Sequence, residues 1–97
     1  MFVVVTRVRI DPSVGDAALT DLREKVVPMV KQAPGFVEGR WTADREAGKG
    51  YAMVLFETEQ DARNQLSKLQ RNMADGPFLG VTWENMAVAE VVAEAKR

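Results

Sequence analysis

The sequence element that decides the fold is the opening stretch Phe2-Val3-Val4-Val5-Thr6-Arg7-Val8-Arg9-Ile10. It is too short for an amphipathic helix and is rich in β-branched residues, so it predicts a β-strand. Alternate side chains of a strand point to opposite faces. One face of this strand is apolar along its length, and the other is apolar only in its first half, before Arg7 and Arg9. A strand of this kind needs cover on both faces.

Composition narrows the classes of function. The chain has 97 residues, 46% of them hydrophobic, which predicts a single globular domain spanning residues 1–97. Its net charge of −1 provides no basic surface for a phosphate backbone, so nucleic-acid binding is not expected. Cysteine and histidine are absent, which removes disulfides, thiolate metal sites and the usual heme ligand. Since no apolar run reaches membrane-spanning length and no signal sequence is recognisable, we expect a cytoplasmic protein that does not bind membranes.

The segment after the first strand has the pattern of an amphipathic helix. Ser13 and Asp16 form a capping-box-like pair at its start, and Pro28 predicts a kink or a broken last turn. The helix should end at Ala33-Pro34-Gly35, because the residue before a proline disfavours helical geometry. Its apolar face follows a 3-4-3-4 spacing through Leu19, Leu22, Val26, Met29 and Ala33.

The rest of the chain predicts two strands, a second helix and a last strand. Residues 36–43 and 51–56 are the strands, joined by a polar hairpin loop, and the second of them is apolar enough to be central. Thr58 and Asp61 predict the start of the second helix. Its apolar residues are Ala62, Leu66, Leu69 and Met73, and its predicted end is Asp75-Gly76-Pro77. Residues 81–92 predict the last strand, with one face formed by Val81, Trp83, Asn85, Ala87, Ala89 and Val91.

The order β-α-β-β-α-β predicts an α+β fold of the ferredoxin-like type with a four-stranded antiparallel sheet. Right-handed crossovers place both helices on one face of that sheet. The other face carries apolar residues of the first, third and last strands, which a monomer would leave exposed. We therefore expect a symmetric homodimer joined through the helix-free sheet face.

Several residues in this pattern resemble the antibiotic biosynthesis monooxygenase (ABM) family. They are the opening strand, the turn at Pro12, the Pro34-Gly35-Phe36 entry to the second strand, and Phe56-Glu57-Thr58 after the third strand. The resemblance covers nearly the whole chain. It implies a dimeric α+β barrel with a pocket in each subunit between the helices and the sheet. Some members of the family oxidise phenols or quinols with molecular oxygen and no cofactor, and others degrade heme.

The heme-degrading branch of the family is excluded by three positions. By the resemblance, that branch has an Asn in the middle of the first strand, where this chain has Arg7. It also has a Trp on the second helix, near Gln65 or Leu66 here, and a later His, and this chain has neither. We therefore expect no heme, no metal and no other cofactor.

The resemblance implies a protein that binds a small aromatic or quinol-type molecule, with cofactor-independent monooxygenation as the candidate reaction. The alternative is a non-catalytic ligand-binding or dimerisation module of the same fold. An enclosed cavity lined by Arg7, Trp41 and Tyr51 would favour chemistry or ligand binding. A filled interior with those side chains paired or exposed would favour a module without a ligand.

Charged residues are the candidate catalytic groups. Arg7 and Arg9 share one strand face and would hold an anion in a cleft beneath the helices. Glu84 or Glu57 would serve as the base if burial raised its pKa. The simpler alternative is that the arginines pair with Glu57, Glu84 or Glu90 on neighbouring strands, as charged strand residues usually do.

The candidate substrate-binding residues, besides Arg9, are Trp41, Trp83, Tyr51 and Asn64. The tryptophans would form the walls of a pocket for a flat molecule, Tyr51 would donate a hydrogen bond, and Asn64 would orient substrate or oxygen. Each has a structural alternative: the tryptophans fill the core or an interface, Tyr51 ends at solvent, and Asn64 lies on a solvated helix face.

Overall fold

The computed structural model describes residues 1–75 and 80–97. Its strands are β1 (Phe2–Ile10), β2 (Phe36–Asp44), β3 (Lys49–Phe56) and β4 (Val81–Glu90), and its helices are α1 (Gly15–Asp21), α2 (Val27–Lys31) and α3 (Glu59–Asp75). The strands form one sheet in the order β2-β3-β1-β4, and every neighbouring pair is antiparallel. This arrangement confirms the predicted ferredoxin-like α+β fold, with β1 and β3 in the centre of the sheet.

The hydrophobic core lies between the helices and one face of the sheet. Its most buried residues come from the two central strands and from α2 and α3, and they are Val4, Val30, Val54, Phe56, Ala62 and Leu69. Phe56 is 0% exposed and makes an edge-to-face contact with Phe36, with ring centroids 6.4 Å apart. The same face of β1 that is apolar in the sequence therefore faces the helices.

The first helical segment begins differently from the prediction. The predicted cap at Ser13 is wrong: the Asp11 carboxylate accepts hydrogen bonds from the backbone N–H of Ser13 at 2.9 Å and from its hydroxyl at 2.8 Å. A short 3-10 turn, Pro12–Val14, follows, and no side chain caps α1. Asp11 is the N-cap of this turn, so its carboxylate takes the first free N–H group, and the Ser13 hydroxyl donates to Asp11 instead of capping a helix.

The distortion predicted at Pro28 lies one turn earlier in the chain. A π-helical turn, Leu22–Val26, separates α1 from α2, and the N–H of Val27 donates to the carbonyl of Leu22. Proline lacks an N–H and crowds the carbonyl four residues before it, so a wider turn in front of it relieves the clash. The helix then continues through Pro28 to Lys31, and Gly35 makes the following turn at φ 78°.

The second half of the chain follows the predicted order of elements and differs at the ends of its strands: β2 extends to Asp44 and β3 begins at Lys49, inside the predicted hairpin loop. The hydroxyl of Thr58 accepts the N–H of Asp61 at 3.1 Å, which confirms the predicted helix start. Strand β4 ends at Glu90 instead of Val92, and the N–H of Val91 donates to the Met1 carbonyl. The predicted helix end at Gly76-Pro77 lies outside the described residues, as does the side chain of Met73.

The predicted faces of β4 are wrong because the strand contains a bulge. The pairing between β1 and β4 shifts so that Arg7 lies opposite Asn85, while Val8 lies opposite Trp83. Glu84 is therefore the extra residue, and the two ends of the strand have opposite alternation. Trp83 packs on the core side together with Met86 and Val88, so it does not share a face with Asn85.

Candidate functional site

A cavity of about 120 Å³ lies between the first helical segment and the sheet. Most of its lining is aliphatic and comes from every layer of the fold: Val4, Val8, Leu22, Val26, Val54 and Leu69 are examples. The π-helical turn forms part of the wall through Leu22 and Val26, and turns of this kind are frequent at functional sites. The cavity reaches the surface at Met29 and Thr42, both of which line it and are exposed.

Three of the predicted substrate-binding residues line this cavity: Trp41, Tyr51 and Trp83. Trp41 stands over Gly39, where a Cβ atom would lie 2.7 Å from the indole ring, so the glycine makes room for it. The bulge in β4 turns Trp83 toward the cavity. Tyr51 pairs with Arg7 between β3 and β1, so its side chain lies on the helix-free face, where it is 47% exposed, and the residue borders the cavity through its place in β3. The structure thus brings two of the predicted aromatic side chains, Trp41 and Trp83, to the cavity.

Besides the exposed Thr42, two buried uncharged polar residues line the cavity, and neither was among the residues predicted from the sequence. Thr6 on β1 is 8% exposed and Gln65 on α3 is 6% exposed. Within residues 1–75 and 80–97, neither side chain has a hydrogen-bonding partner. Buried polar groups are normally paired, so two unpaired groups facing one cavity are unusual.

Asp21 is the one carboxylate among the described residues that line the cavity, and no described lysine or arginine lines it. Its Oδ1 lies 3.5 Å from Nζ of Lys25, one turn along the helix, and its side chain is 46% exposed. In the sequence, Asp21 lies between Leu19 and Leu22 of the predicted apolar stripe and does not belong to it. The π-helical turn begins immediately after Asp21 and changes the face that the residue presents.

The predicted catalytic residues lie on the opposite, helix-free face of the sheet. Glu84 accepts two hydrogen bonds from Nζ of Lys49, at 2.6 and 2.7 Å. Its oxygens lie 3.8 Å from Arg7 Nε and 3.7 Å from Arg9 Nη2. The prediction that Arg7 and Arg9 face a cleft beneath the helices is therefore wrong, because odd-numbered residues of β1 point away from the helices. The alternative prediction, pairing with Glu84 across the strands, is confirmed.

The ionisation of Glu84 differs from what a base would need. The hydrogen bond from Lys49 lowers the pKa of Glu84 below its ordinary value; burial acts in the opposite direction, and the charges of Lys49, Arg9 and Arg7 lower the pKa further. The condition for a base, a pKa raised by burial, is therefore not met at Glu84, and the carboxylate stays ionised at neutral pH. Glu57, the other candidate base, is exposed.

Asn64 does not reach the cavity. It is exposed on α3, and its side-chain oxygen accepts a hydrogen bond from Nε2 of Gln60 at 2.9 Å. The neighbouring residue, Gln65, points inward instead. A signal for this existed in the sequence, because Gln65 lies three residues after Ala62 and four before Leu69, on the apolar stripe. Thr6 gives the same signal as the single polar residue between Val4 and Val8 on its strand face.

Two wider features of residues 1–75 and 80–97 concern membranes and metal ions. None of the helices there is both long and apolar enough to cross a membrane. In the same part of the chain, no three acidic, histidine or cysteine side chains come together in a way that could hold a metal ion.

Solved structures of other proteins share this fold over nearly the whole chain. A monooxygenase from the ActVA-Orf6 gene of Streptomyces coelicolor, solved with nanaomycin D, is 16% identical, with a TM-score of 0.66 and coverage of 99% of this chain and 91% of that one. The heme-degrader MhuD of Mycobacterium tuberculosis, solved with two hemes in its active site, is 11% identical (TM-score 0.69; coverage 99% and 100%). A provisionally assigned antibiotic biosynthesis monooxygenase of Chloroflexus aurantiacus is 15% identical (TM-score 0.66; coverage 98% and 96%).

These similarities establish an ABM-like fold, which the sequence had predicted from its strand and turn pattern. No protein-family model and no curated protein matches the chain. At identities of 11 to 16%, the shared property is the fold, and the activity has to be argued from the site.

Proposed function

We propose that this protein binds a small aromatic molecule in the cavity between its first helical segment and its sheet. The observation that carries the proposal is the cavity itself: about 120 Å³, mostly aliphatic, with Trp41 and Trp83 in its wall. Ligand sites of proteins are typically concave and apolar with a few polar groups, and this cavity has that character. The fold neighbours include one protein solved with nanaomycin D and one solved with heme, so the fold accommodates organic ligands elsewhere.

Intrinsic fluorescence tests this proposal directly. The chain has two tryptophans, Trp41 and Trp83, and both line the cavity. A ligand in the cavity should change the tryptophan emission with a saturable dependence on its concentration. Phe substitution of each tryptophan in turn assigns the signal, and the same titration after unfolding in guanidinium is the control. If small aromatic molecules leave the emission of the folded protein unchanged, the proposal fails.

A catalytic function is the second candidate, and the presence of Asp21 in the cavity wall favours it. Cofactor-independent oxidation of a phenol by O2 needs a base to remove the phenolic proton. One oxygen atom then enters the ring, the other leaves as water, and the phenol becomes a quinone. Asp21 is the carboxylate placed to act on a molecule in this cavity, whereas Glu84 lies on the other face.

Oxygen uptake with a panel of phenols and quinols tests the catalytic candidate. Asp21→Asn should lower the uptake about 100-fold or more if Asp21 is the base. Asp16→Asn is the matched control, because Asp16 is exposed and pairs only with Arg45 at 3.3 Å. Equal rates in the two variants would contradict the role of Asp21. Uptake that is absent in the unmodified protein would leave binding as the function.

The sequence-based hypothesis that Arg7 and Glu84 are catalytic stays a prediction, and so does the exclusion of heme degradation. Arg7 and Glu84 would have to act on a molecule held against the helix-free face, since they lie away from the cavity. Arg9 is 65% exposed on that same face. An Arg7→Met variant should leave ligand binding in the cavity unchanged, which fluorescence titration measures.

We also propose that the protein is a homodimer joined through the helix-free face. At one end of that face lie apolar side chains of the three strands β1, β3 and β4: Val3, Val5, Met53, Leu55, Ala87 and Ala89. Met53 is 55% exposed, and burying such a surface against a second copy is favourable. Sedimentation analysis should give twice the chain mass. Met53→Lys should yield monomers, whereas Met29→Lys, at a methionine 51% exposed on the helical side, should not.

A further inference from the structure

We infer that Thr6 and Gln65 decide which molecule the cavity accepts: a neutral, single-ring molecule that carries one hydrogen-bonding group. This inference rests on the proposed ligand-binding function and adds the residues that give it specificity. Both residues are buried and uncharged, and they bring hydrogen-bonding groups into a mostly aliphatic space.

The inference starts from the burial of both side chains and their lack of hydrogen-bonding partners among the described residues. Thr6 and Gln65 are more than nine-tenths buried, neither has a hydrogen-bonding partner in the described part of the chain, and neither has a polar atom fully enclosed by protein. The hydrogen bonds of these groups are therefore left to water or to a ligand in the cavity. A ligand that brings its own polar group replaces the hydrogen bonds to water, whereas a purely apolar ligand displaces the water and leaves them unmade.

The chemistry of the two groups defines the ligand. A threonine hydroxyl and a glutamine amide each donate and accept hydrogen bonds, so they fit a hydroxyl or a carbonyl group equally well. A carboxylate or phosphate is not matched, because the described lining contains no lysine or arginine to neutralise it. The polar group of the ligand should therefore be uncharged.

The size of the space limits the rest of the ligand. An apolar cavity of about 150 Å³ is known to hold one benzene molecule. The cavity here is about 120 Å³, so one six-membered ring fits inside and a fused second ring has to extend through the opening at Met29. We therefore expect single-ring compounds to bind more tightly than their fused two-ring analogues.

The experiment compares phenol, toluene and 2-naphthol by NMR titration of the ¹⁵N-labelled protein. Phenol and toluene have nearly the same shape and differ in the hydroxyl. We expect phenol to bind about tenfold more tightly than toluene, as one well-made hydrogen bond to a buried group predicts. We expect 2-naphthol to bind more weakly than phenol. Both compounds should shift the side-chain amide signals of Gln65 through the ring current, and phenol should shift them further through its hydrogen bond.

Four variants test whether Thr6 and Gln65 cause the preference for phenol over toluene. Thr6→Val and Gln65→Leu keep the shape and remove the polar group, and each should reduce the preference for phenol over toluene several-fold. Thr6→Ser keeps the hydroxyl, and Gln70→Leu removes a glutamine from the exposed face of the same helix. Both of these controls should keep the preference of the unmodified protein.

The outcomes separate this inference from the proposed function. If none of the three compounds binds to the unmodified protein, the proposed aromatic-ligand site is itself wrong. If toluene and phenol bind equally well, or if Gln65→Leu and Thr6→Val keep the full preference for phenol, ligand binding stands and the selective role of these residues is overturned. Tighter binding of 2-naphthol than of phenol would overturn the size limit alone.

Discussion

Thr6 and Arg7 are consecutive residues of β1, and they lie on opposite faces of the sheet in opposite situations. On the helix-free face, Arg7 belongs to a cluster in which Glu84 pairs with Arg7, Arg9 and Lys49, so one carboxylate is shared by three cations. On the helix-covered face, Thr6 and Gln65 are buried and face a cavity, and neither has a hydrogen-bonding partner among the described residues. The charged residues, which are conspicuous in the sequence, thus form a structural cluster. The inconspicuous uncharged ones are left available for a ligand.

The largest difference between the two faces should be in stability. Phe56→Ala removes a ring that is 0% exposed and should lower the free energy of unfolding by about 3 to 5 kcal/mol. Met53 lies on the helix-free face and is 55% exposed. Met53→Ala should therefore lower the free energy of unfolding by less than about 1 kcal/mol in dilute protein. Chemical unfolding of both variants measures the contrast, and similar losses would mean that both faces are equally covered.

The next effect concerns the aromatic wall of the cavity. Gly39→Ala places a Cβ atom 2.7 Å from the Trp41 ring, so the indole has to move and the variant should lose about 1 to 3 kcal/mol. The emission of Trp41 and its response to ligand should change with it.

Gly15→Ala is the control for that substitution, since a Cβ there meets only Ile10 Cγ2, at 4.0 Å, and the position is helical. It should leave stability unchanged or raise it slightly. A Gly39→Ala variant with normal stability and normal fluorescence would show that the Trp41 ring is not held in place by the glycine.

The fold was largely predictable because its signals are local and repeated. The alternation in β1, the apolar stripes of the helices and the turn at Gly35 each depend on neighbouring residues only. The faces of β4 were mispredicted because the bulge at Glu84 depends on how β4 pairs with β1, which no local pattern reveals. The aromatic residues of the site were predictable from their strands. The location of Arg7 was not, because it depends on which face of the sheet the helices cover.

The importance of Gln65 could have been predicted from the sequence. A polar residue on an apolar helical stripe predicts either a buried hydrogen bond or a site, and the stripe from Ala62 to Leu69 contains one. What the sequence does not give is the absence of a partner, which depends on the strands that α3 covers. The choice between a structural and a ligand-binding role therefore required the fold.

A smaller effect should distinguish the polar groups of the two faces. In the absence of ligand, Gln65→Leu should raise the free energy of unfolding by about 1 kcal/mol, because it removes an unpaired buried amide and keeps the volume. Lys49→Met should lower it, because Glu84 loses its two shortest hydrogen bonds. Thermal unfolding monitored by circular dichroism measures both. A loss of stability in Gln65→Leu would indicate that the amide is already satisfied.

The smallest expected effect is the acid dependence of the cluster on the helix-free face. The pKa of Glu84 is lowered in the folded protein by its hydrogen bond with Lys49, from an ordinary value of 4.5. A group with a lowered folded pKa contributes stability that is complete above its unfolded value and is lost as the pH falls through the folded one. The unfolding temperature should therefore fall as the pH drops below 4.5, and Glu84→Gln should remove part of that fall.

The Glu84→Gln variant should also be less stable at pH 7, because three cations are left without their shared carboxylate. The stability difference between this variant and the unmodified protein should shrink in 1 M salt. The Debye length is then about 3 Å, so interactions between exposed charges over longer distances are screened. Some acid dependence should persist in this variant, since hydrogen bonds from Ser13 lower the pKa of Asp11 in the same direction. Asp11→Asn combined with Glu84→Gln separates the two contributions. The unfolding temperature of Glu84→Gln is compared with that of the unmodified protein as the pH falls below 4.5. If the two fall equally, Glu84 and its cations do not stabilise the helix-free face, and the cluster is available for a ligand there.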